Sequence, residues 1–380
     1  MNAQIRKYRI AVDITTTSAM HITAIEKGTY DPERKRLSRY DAQTGIGCSL
    51  TRTMKIASAA VVRDDKITVP EVPVVPASTI AGKVRRAAAD LLFTSLTQRD
   101  LVITVDAYNT LTSGMATTEL KADEATPETV VTARRDPFLG LFGGTSFALS
   151  ASCVIAEGWP LIEMTRPMLM TEPLAPVLPL SDLRDMTTPM AIIRKNDAAA
   201  LAGDHLEGVV GLHTLAAYVQ AEGSRRTDSK AKKAADEDSK KTDLRTFNAV
   251  ETINAGMSFA LRFEVVARTP AHLGLMLLAI QKVLRDGQIG GKAARGMGRF
   301  VCSASRLYEV DPTNRESTVL TNLFLGQDTG YGLHDHEIVN EAVMQASDYI
   351  DQVDPRLLNA FAAADAKAIK ELTEQAAEVA

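Results

Sequence analysis

The residues best suited to chemistry lie together in one stretch, Gly287-Gln288-Ile289-Gly290-Gly291-Lys292-Ala293-Ala294-Arg295-Gly296-Met297-Gly298-Arg299-Phe300. Five glycines and three cations fall within these fourteen residues. Glycine reaches positive φ and lets another backbone come close. Successive backbone N–H groups in such loops cradle phosphate oxygens. Lys292, Arg295 and Arg299 supply the matching charge, so the stretch is patterned as an anion receptor. A glycine-rich turn with solvated cations has the same composition, and the rest of the chain must decide between the two. A nucleotide-hydrolysing P-loop is excluded, because Gly291-Lys292-Ala293 lacks the hydroxyl that would hold Mg²⁺.

Other candidate groups are weaker. His334-Asp335-His336 has no third ligand at a recognisable spacing, so a loop or helix cap explains it better than a metal. Cys48, Cys153 and Cys302 are scattered and odd in number, which argues for a reducing cytoplasm and against a disulfide framework or a cysteine zinc site. They are expected to be small buried hydrophobes. His21 alternates with apolar neighbours and is expected to be packed or bonded to backbone. Asp31, Glu33 and Asp41 sit in an early polar loop with no motif around them. Neither a cofactor nor a metal is expected.

The chain has 380 residues, room for one core with large insertions or for two domains. Apolar residues make up 45% and charged residues 24%, the balance of an ordinary globular protein. No run of about 18 apolar residues predicts a membrane span. The first residues, Met1 to Lys7, hold no apolar segment of the kind that directs secretion. The net charge of −4 hides an asymmetry. From Cys302 onward there are 5 Lys/Arg against 14 Asp/Glu, which leaves 38 against 33 in the preceding residues. That is the pattern of a polyanion-binding body with an acidic C-terminal appendage, and equally of a plain acidic helical tail.

The elements that must position the glycine-rich stretch follow from periodicity. Ile5, Tyr8, Ile10, Val12 and Ile14 predict a first strand with one buried face. Thr16–Lys27 continues as an extended piece, and 29–52 reads as a long basic surface loop carrying Arg34, Arg36, Arg39 and Arg52. Pro70, Pro73 and Pro76 exclude a central strand there. Ser78 or Thr79 then caps a helix whose apolar stripe is Ile80, Val84, Ala88 and Leu91, ending near Phe93. Lys83, Arg85 and Arg86 lie in its first turns, where cations oppose the helix dipole and a bound phosphate would relieve the conflict. The stretch 97–137 is mixed, with an acidic loop at 119–128 and the pair Arg134 and Arg135 near its end. Pro137 opens a short helical turn closed by Gly143-Gly144. A strand follows over 147–155, ending at Gly158-Trp159-Pro160.

The segment 165–243 looks inserted, with proline at 167, 173, 176, 179 and 189. Its tip, 224–241, has no apolar residue beyond alanine and carries Arg225 and Arg226 among its cations. Phe259, Leu261, Phe263 and Val265 predict another strand, and Pro270 starts an apolar helix running to about Leu284 and into the glycine-rich loop. A strand over Phe300–Tyr308 comes next, then loop, then helices at 337–353 and 355–379. The firm elements run strand, helix, strand, strand, helix, strand. That is the ferredoxin-like α+β order, shared with RRM-like RNA-binding domains.

Four pieces in this order resemble the RAMP superfamily of CRISPR-associated proteins. Val75-Pro76-Ala77-Ser78-Thr79-Ile80-Ala81-Gly82-Lys83-Val84-Arg85 resembles its helix motif, and Leu141-Phe142-Gly143 its Leu-Phe-Gly signature. Gly290-Gly291 through Arg299 is similar to its glycine-rich loop, and Met20-His21-Ile22-Thr23 to its segment after the first strand. Two positions depart from the pattern: Ala81 stands where lysine is usual, and Ala294 where Ser or Thr is. Within the superfamily the resemblance is to the repeated backbone subunit of type IV effector complexes.

The resemblance implies a ferredoxin-like palm with a finger region, a thumb and a helical C-terminal extension. It divides the chain into 1–164 (first palm half with finger), 165–250 (thumb with basic tip), 251–310 (second palm half with the glycine loop) and 311–380 (acidic extension). It implies that copies stack as a homo-oligomer along guide RNA (crRNA), beside other effector subunits, and present it to a target nucleic acid, away from any membrane. The RNA-binding residues it suggests are Ser78, Thr79, Gly290 and Gly291 with Arg34, Arg36, Arg39, Arg52, Lys83, Arg85, Arg86, Arg134, Arg135, Arg225, Arg226, Lys292, Arg295 and Arg299. Two other functions fit the residues: a ribonuclease of the same superfamily using His21 or an early acid such as Asp41, and a small-molecule phosphate-binding enzyme.

Overall fold

The computed structural model describes residues 5–31, 34–39, 46–63, 66–115, 126–144, 149–195, 245–311, 313 and 315–379. Among these, the strands are β1 (Arg6–Thr16), β2 (Thr23–Asp31), β3 (Arg36–Ser38), β4 (Ile46–Thr51), β5 (Thr53–Lys55), β6 (Val61–Arg63), β7 (Lys66–Thr68), β8 (Glu71–Pro73), β9 (Cys153–Ile155), β10 (Trp159–Pro160), β11 (Thr187–Lys195), β12 (Arg245–Ile253), β13 (Ser258–Ala267), β14 (Phe300–Val310) and β15 (Glu316–Thr321). The helices are α1 (Ala77–Gln98), α2 (Val105–Ser113), α3 (Pro127–Arg135), α4 (Pro137–Phe142), α5 (Leu183–Met186), α6 (Pro270–Asp286), α7 (Glu337–Gln352), α8 (Pro355–Ala363) and α9 (Ala366–Val379).

Two compact units divide the chain: residues 1–23, 51–188 and 252–380 form the first, and 24–50 with 189–251 the second. The first unit is built on β1. Its period-two pattern puts Tyr8, Ile10, Val12 and Ile14 in the core. On one side β1 pairs antiparallel with β13, Arg6↔Ala267 through Thr15↔Ser258. On the other it pairs antiparallel with β14, Lys7↔Val310 through Thr16↔Phe300, with an irregularity at Asp13/Ile14. β9 joins the outer side of β13, and β15 that of β14. Chain order β1-α1-β9-β13-α6-β14 with sheet order β9-β13-β1-β14 is the split βαβ pair of a ferredoxin-like sheet. The expected α+β palm is the fold observed, and its C-terminal segment is helical.

One face of this sheet is covered by α1 and α6. These run antiparallel, because Lys83 pairs with Asp286 at 2.9 Å and Asp90 with Lys282 at 2.7 Å. α6 buries most of its surface, since α7 lies over its outer side. The two approach at Gly274, where a Cβ would come within 1.9 Å of the Ala342 carbonyl oxygen. α7 is also tied to the start of α4: Tyr349 Oη donates to Asp136 at 3.0 Å, and burial pushes the Asp136 carboxyl up to about 6.

The opposite sheet face is charged and partly covered. Arg9 pairs with Glu264 at 2.8 Å and with Glu316, and Lys7 pairs with Glu264 at 2.7 Å. Deeper lies an ion pair with no solvent access, Arg262 Nη1 to Asp13 Oδ1 at 2.6 Å. The other Asp13 oxygen accepts the amides of Leu174 and Ala175 at 2.7 and 2.8 Å, and Arg262 reaches the Glu172 carbonyl at 3.4 Å. A buried charge pair is favourable only when its remaining lone pairs and protons are also satisfied; the 172–175 strap supplies partners for the second Asp13 oxygen and for Arg262 Nη2, while Arg262 Nε is left buried without one.

The second unit is a five-stranded sheet in the order β11-β12-β4-β2-β3. Its small core is Tyr30, Cys48, Leu50 and Ala249. The buried Glu251 carboxylate is met by Arg39 Nη1 at 3.0 Å. No helix among the described residues is long and apolar enough to cross a membrane.

Several expectations are corrected. α1 continues five residues past Phe93, to Gln98, because Ser95 and Leu96 extend its buried stripe. The stretch 29–52 holds β3 and β4, too short to show periodicity. The mixed stretch 97–137 folds into α2 and α3, started by the side-chain caps Thr104 and Thr126. The strand expected over 147–155 is confined to Cys153–Ile155, with 145–148 outside the described residues. β15 occupies part of the expected loop after Asp311. The helix expected over 355–379 is broken at Ala364, whose φ of 54° is left-handed.

Two stability measurements test this account. Asp13→Ala strands Arg262 and frees the strap, and should cost about 3–5 kcal/mol in chemical denaturation. Asp136 titrates near 6 in the fold but near about 3.9 unfolded. Its contribution is therefore full below the unfolded value and lost as pH rises through about 6. The urea midpoint should fall across that window, and Asp136→Asn should flatten the fall.

Candidate nucleic-acid interface

The glycine-rich loop leaves α6 through Gly287, whose φ of 58° ends the helix as its amide bonds the Val283 carbonyl at 3.1 Å. It then folds on itself. Ile289 N donates to Gly298 O at 2.9 Å, and Phe300 N to Gly287 O at 2.9 Å. Gln288 Nε2 spans the inside, bonding the carbonyls of Ala293 at 3.0 Å and Met297 at 2.8 Å. The loop is also sewn to the segment after β1. Gly291 N donates to His21 O at 2.8 Å, Gly298 N to Ala19 O at 2.9 Å, and Arg299 N to Ser18 Oγ at 2.9 Å. Gly298 is irreplaceable in this arrangement: its φ is 78°, and a Cβ would fall 1.9 Å from Ile289 O.

Bonds within the loop and to residues 18–21 take the amides of Ile289, Gly291, Arg295, Gly296, Gly298, Arg299 and Phe300, so only part of the backbone cradle expected for an anion is left to meet one. The amides of Lys292, Ala293 and Ala294 are not used by the 3-10 turn Ala293–Arg295, whose own bonds run from Arg295 N to Lys292 O and from Gly296 N to Ala293 O. The outward groups are the side chains. Lys292, Arg295 and Arg299 are all exposed, and among the described residues none is in an ion pair. Lys292 itself takes φ 60°, a left-handed conformation costing about 1–2 kcal/mol for a residue with a Cβ.

Beside the loop stands the start of α1. Pro76 precedes the helix, and neither Ser78 nor Thr79 caps it, contrary to expectation. The capping group is the Glu157 carboxylate, which accepts from Ala77 N at 2.9 Å. That anion offsets the dipole conflict noted for the cationic first turns. Glu157 lies 80 residues from Ala77, and nothing in its local sequence marks it for this role.

Helical spacing then places Thr79, Lys83 and Arg86 toward the loop. With Ile22, Thr23, Gly290, Gly291 and Ala293 they line a cleft of about 440 Å³. Arg86 is exposed and outside any ion pair among the described residues. Lys83 is held by Asp286 at 2.9 Å, a partly exposed pair. Pairs of this kind are worth only about 0–1 kcal/mol, so a phosphate can take the ammonium.

Arg85 is corrected from a binding residue to a structural one. Its guanidinium turns inward and donates to four backbone carbonyls, those of Leu111 (2.8 Å), Phe142 (2.9 Å), Gly143 (3.0 Å) and Thr110. It also lies over the rings of Phe138 and Phe142, 5.5 and 5.9 Å from their centroids. Burial lowers its pKa to about 10. The Leu141-Phe142-Gly143 signature is thus the receptor for an arginine from α1.

The other expected residues are distributed as follows. Ser78 is exposed beside the helix start. Arg134 and Arg135 are exposed in the last turn of α3 and line no part of the cleft. Arg52 is half-buried in the first unit. Arg34, Arg36 and Arg39 belong to the second unit, where Arg39 is committed to Glu251 and Arg34 lies 3.8 Å from Asp31. Arg225, Arg226 and Asp41 lie outside the described residues.

The fold and the site together are those of a ferredoxin-like α+β palm whose glycine-rich loop and first helix wall a cationic cleft. The chain belongs to the RAMP superfamily, whose family model matches residues 13–301. No curated protein sequence matches it. Among solved structures it is similar to a chain of a type IV-B CRISPR complex, with 14% identity and a TM-score of 0.40 over 82% of this chain and 94% of that one. It is also similar to a chain of type III-B Cmr-beta bound to cognate target RNA, with 10% identity and a TM-score of 0.34 over 80% of this chain and 61% of that one.

The contrast between neighbours on α1 is measurable. Arg85→Met should lower stability by about 2–3 kcal/mol, because buried carbonyls lose their donor. Arg86→Met should stay within about 0.5 kcal/mol, as exposed substitutions do. Thermal unfolding of the two variants checks this.

Proposed function

We propose that this protein is a non-catalytic CRISPR effector backbone subunit. It binds the phosphate backbone of guide RNA (crRNA), repeats along it as stacked copies, and presents it for pairing with a target nucleic acid in company with other effector subunits. The observation that carries the reading is the cleft in which the Thr79–Lys83–Arg86 face of α1 meets the cationic glycine loop. Membership of the RAMP superfamily supports it. Lys and Arg contacts to phosphate position a strand without reading its sequence, as a subunit that must accept any guide requires. In this reading residues 1–164 and 251–310 form the palm with its finger, 165–250 the thumb, and 311–380 an acidic extension facing neighbouring subunits.

The side chains offered for catalysis favour the same reading. His21 is buried, with Nε2 3.2 Å from Thr23 Oγ1, and its carbonyl anchors the loop. Asp31 is occupied by Arg34, whose amide it accepts at 3.2 Å. An accessible base beside the cationic cleft would be needed for RNA cleavage, and neither group supplies one.

The test is purification of the wild-type chain from cells carrying its guide, followed by the 260/280 absorbance ratio and sizing of retained RNA. RNA in discrete lengths is expected, uncut on incubation. The combination Arg86→Glu, Lys292→Gly and Arg295→Glu should release it while the unfolding temperature holds, since glycine also relieves the left-handed strain at position 292. On single-stranded RNA the salt slope should fall by about 0.7 for each phosphate contact removed. Retention of RNA by this variant at moderate salt would sink the reading.

A further inference from the structure

The glycine loop has a second side. Away from α1, a separate cleft of about 490 Å³ opens between the loop and the chain beyond β14. Thr17, Arg285, Asp286, Gln288, Arg299 and Gln327 contribute to its walls. Its volume falls within the range of about 300–1,000 Å³ typical of ligand pockets. Gln288 lines this cleft and the α1-side cleft alike, so the two flank one loop.

One wall comes from outside the family's shared region. The family match ends at residue 301, and Gln327 lies on the turn Gln327–Thr329 of the C-terminal segment. That turn is bound to the palm rather than draped over it. Gln281 Nε2 donates to Tyr331 O at 2.9 Å, Arg285 Nε to Gly330 O at 2.7 Å, and Cys302 N to the buried Tyr331 hydroxyl at 3.2 Å. The bond to Gly330 uses only Nε of Arg285. Among the described residues neither Arg285 nor Arg299 is in an ion pair, and the two outnumber the one carboxylate of the lining, Asp286, which lies 2.9 Å from Lys83. The cleft therefore offers two guanidinium groups to an anion, with the exposed Thr17 hydroxyl and Gln327 amide beside them as neutral hydrogen-bonding groups.

We infer that this second cleft is an additional RNA subsite, in which the C-terminal segment completes a pocket for a ribose-phosphate unit of a strand crossing the glycine loop. The inference rests on the reading of the loop as an RNA-backbone site and adds a ligand contact from residues beyond 301. Arg285 and Arg299 hold the phosphate, the chemistry for which planar guanidinium groups are suited. Thr17 and Gln327 face the sugar, where a 2′-hydroxyl both donates and accepts. The acidic extension thus has a nucleic-acid-facing edge despite its overall charge.

The experiment places a benzophenone side chain at Gln327, and separately at Thr79 in the α1-side cleft, in the full chain purified with its guide RNA. Irradiation should attach RNA at both positions. Attachment at Thr79 but not at Gln327 overturns this inference and leaves the proposed function standing. Attachment at neither, with no RNA retained, overturns both. As a second readout, Gln327→Glu puts a negative charge on an exposed turn without touching the core. It should weaken RNA binding by roughly three- to tenfold, as repulsion of a bound phosphate does, at an unchanged unfolding temperature. Unaltered affinity overturns the subsite.

Discussion

The inward-turned guanidinium of Arg85 sets the rotation of the helix that walls the cationic cleft. Arg85 leaves α1 on the side opposite the cleft and ends among the carbonyls of Thr110, Leu111, Phe142 and Gly143. A buried charge without partners is expensive, so this helix has one rotational setting in which its donors are satisfied. That setting turns Ile80, Val84, Ala87 and Ala88 into the core and leaves Thr79, Lys83 and Arg86 outward. The short helix α4 and its Leu-Phe-Gly end thereby act on the cleft from a distance, through the rotation of α1.

The sheet solves a related problem on its other face. A ferredoxin-like sheet covered by helices on one side leaves the other to be covered, charged or both. Here Asp13 and Arg262 take the deepest position, and the strap at 172–175 supplies the amides that bond the second Asp13 oxygen. Nearer the edge, Lys7, Arg9, Glu264 and Glu316 form an ion-pair network. Charge on this face is internally balanced. Around the glycine loop it is not: among the described residues Lys292, Arg295, Arg299, Arg285 and Arg86 are in no ion pair, and Asp286 is paired with Lys83. The unpaired cations are the ground on which this side is proposed as the polyanion-facing one.

Legibility in the sequence followed the range of the interactions involved. β1 and β13 were readable because their large apolar residues alternate, and α6 because a helix buried on most of its surface is a long apolar run, here opened by Pro270. The glycine loop was readable because φ above zero selects glycine at particular places. What remained hidden depends on partners far along the chain. Glu157 caps α1 from 80 residues away, and Asp13 meets Arg262 across 249. Lys83, Arg85 and Arg86 are indistinguishable as residue types, yet one is paired at the surface, one is buried and one is free among the described residues. Helical phase sorts them, but only once the location of the core is known. The short strands β3, β4 and β9 are too brief to carry any period.

The loop's rigidity bears on what kind of recognition is possible. Bonds within the loop and to Ser18, Ala19 and His21 fasten it at several points along its length, so its frame is set before a ligand arrives. A stiff frame with long cationic side chains fixes where a phosphate can sit while tolerating variation in what the phosphate is attached to. A flexible amide nest would invert this, gripping one phosphate closely and adapting its own shape. The departure at Ala294 belongs to the same logic. Its methyl group on the exposed turn offers no hydroxyl to an anion, so attraction must come from Lys292 and Arg295 on either side. Such binding is strong in sum, weak per contact and sensitive to salt. Those are the properties that the proposed role, one surface holding many different guide sequences, requires.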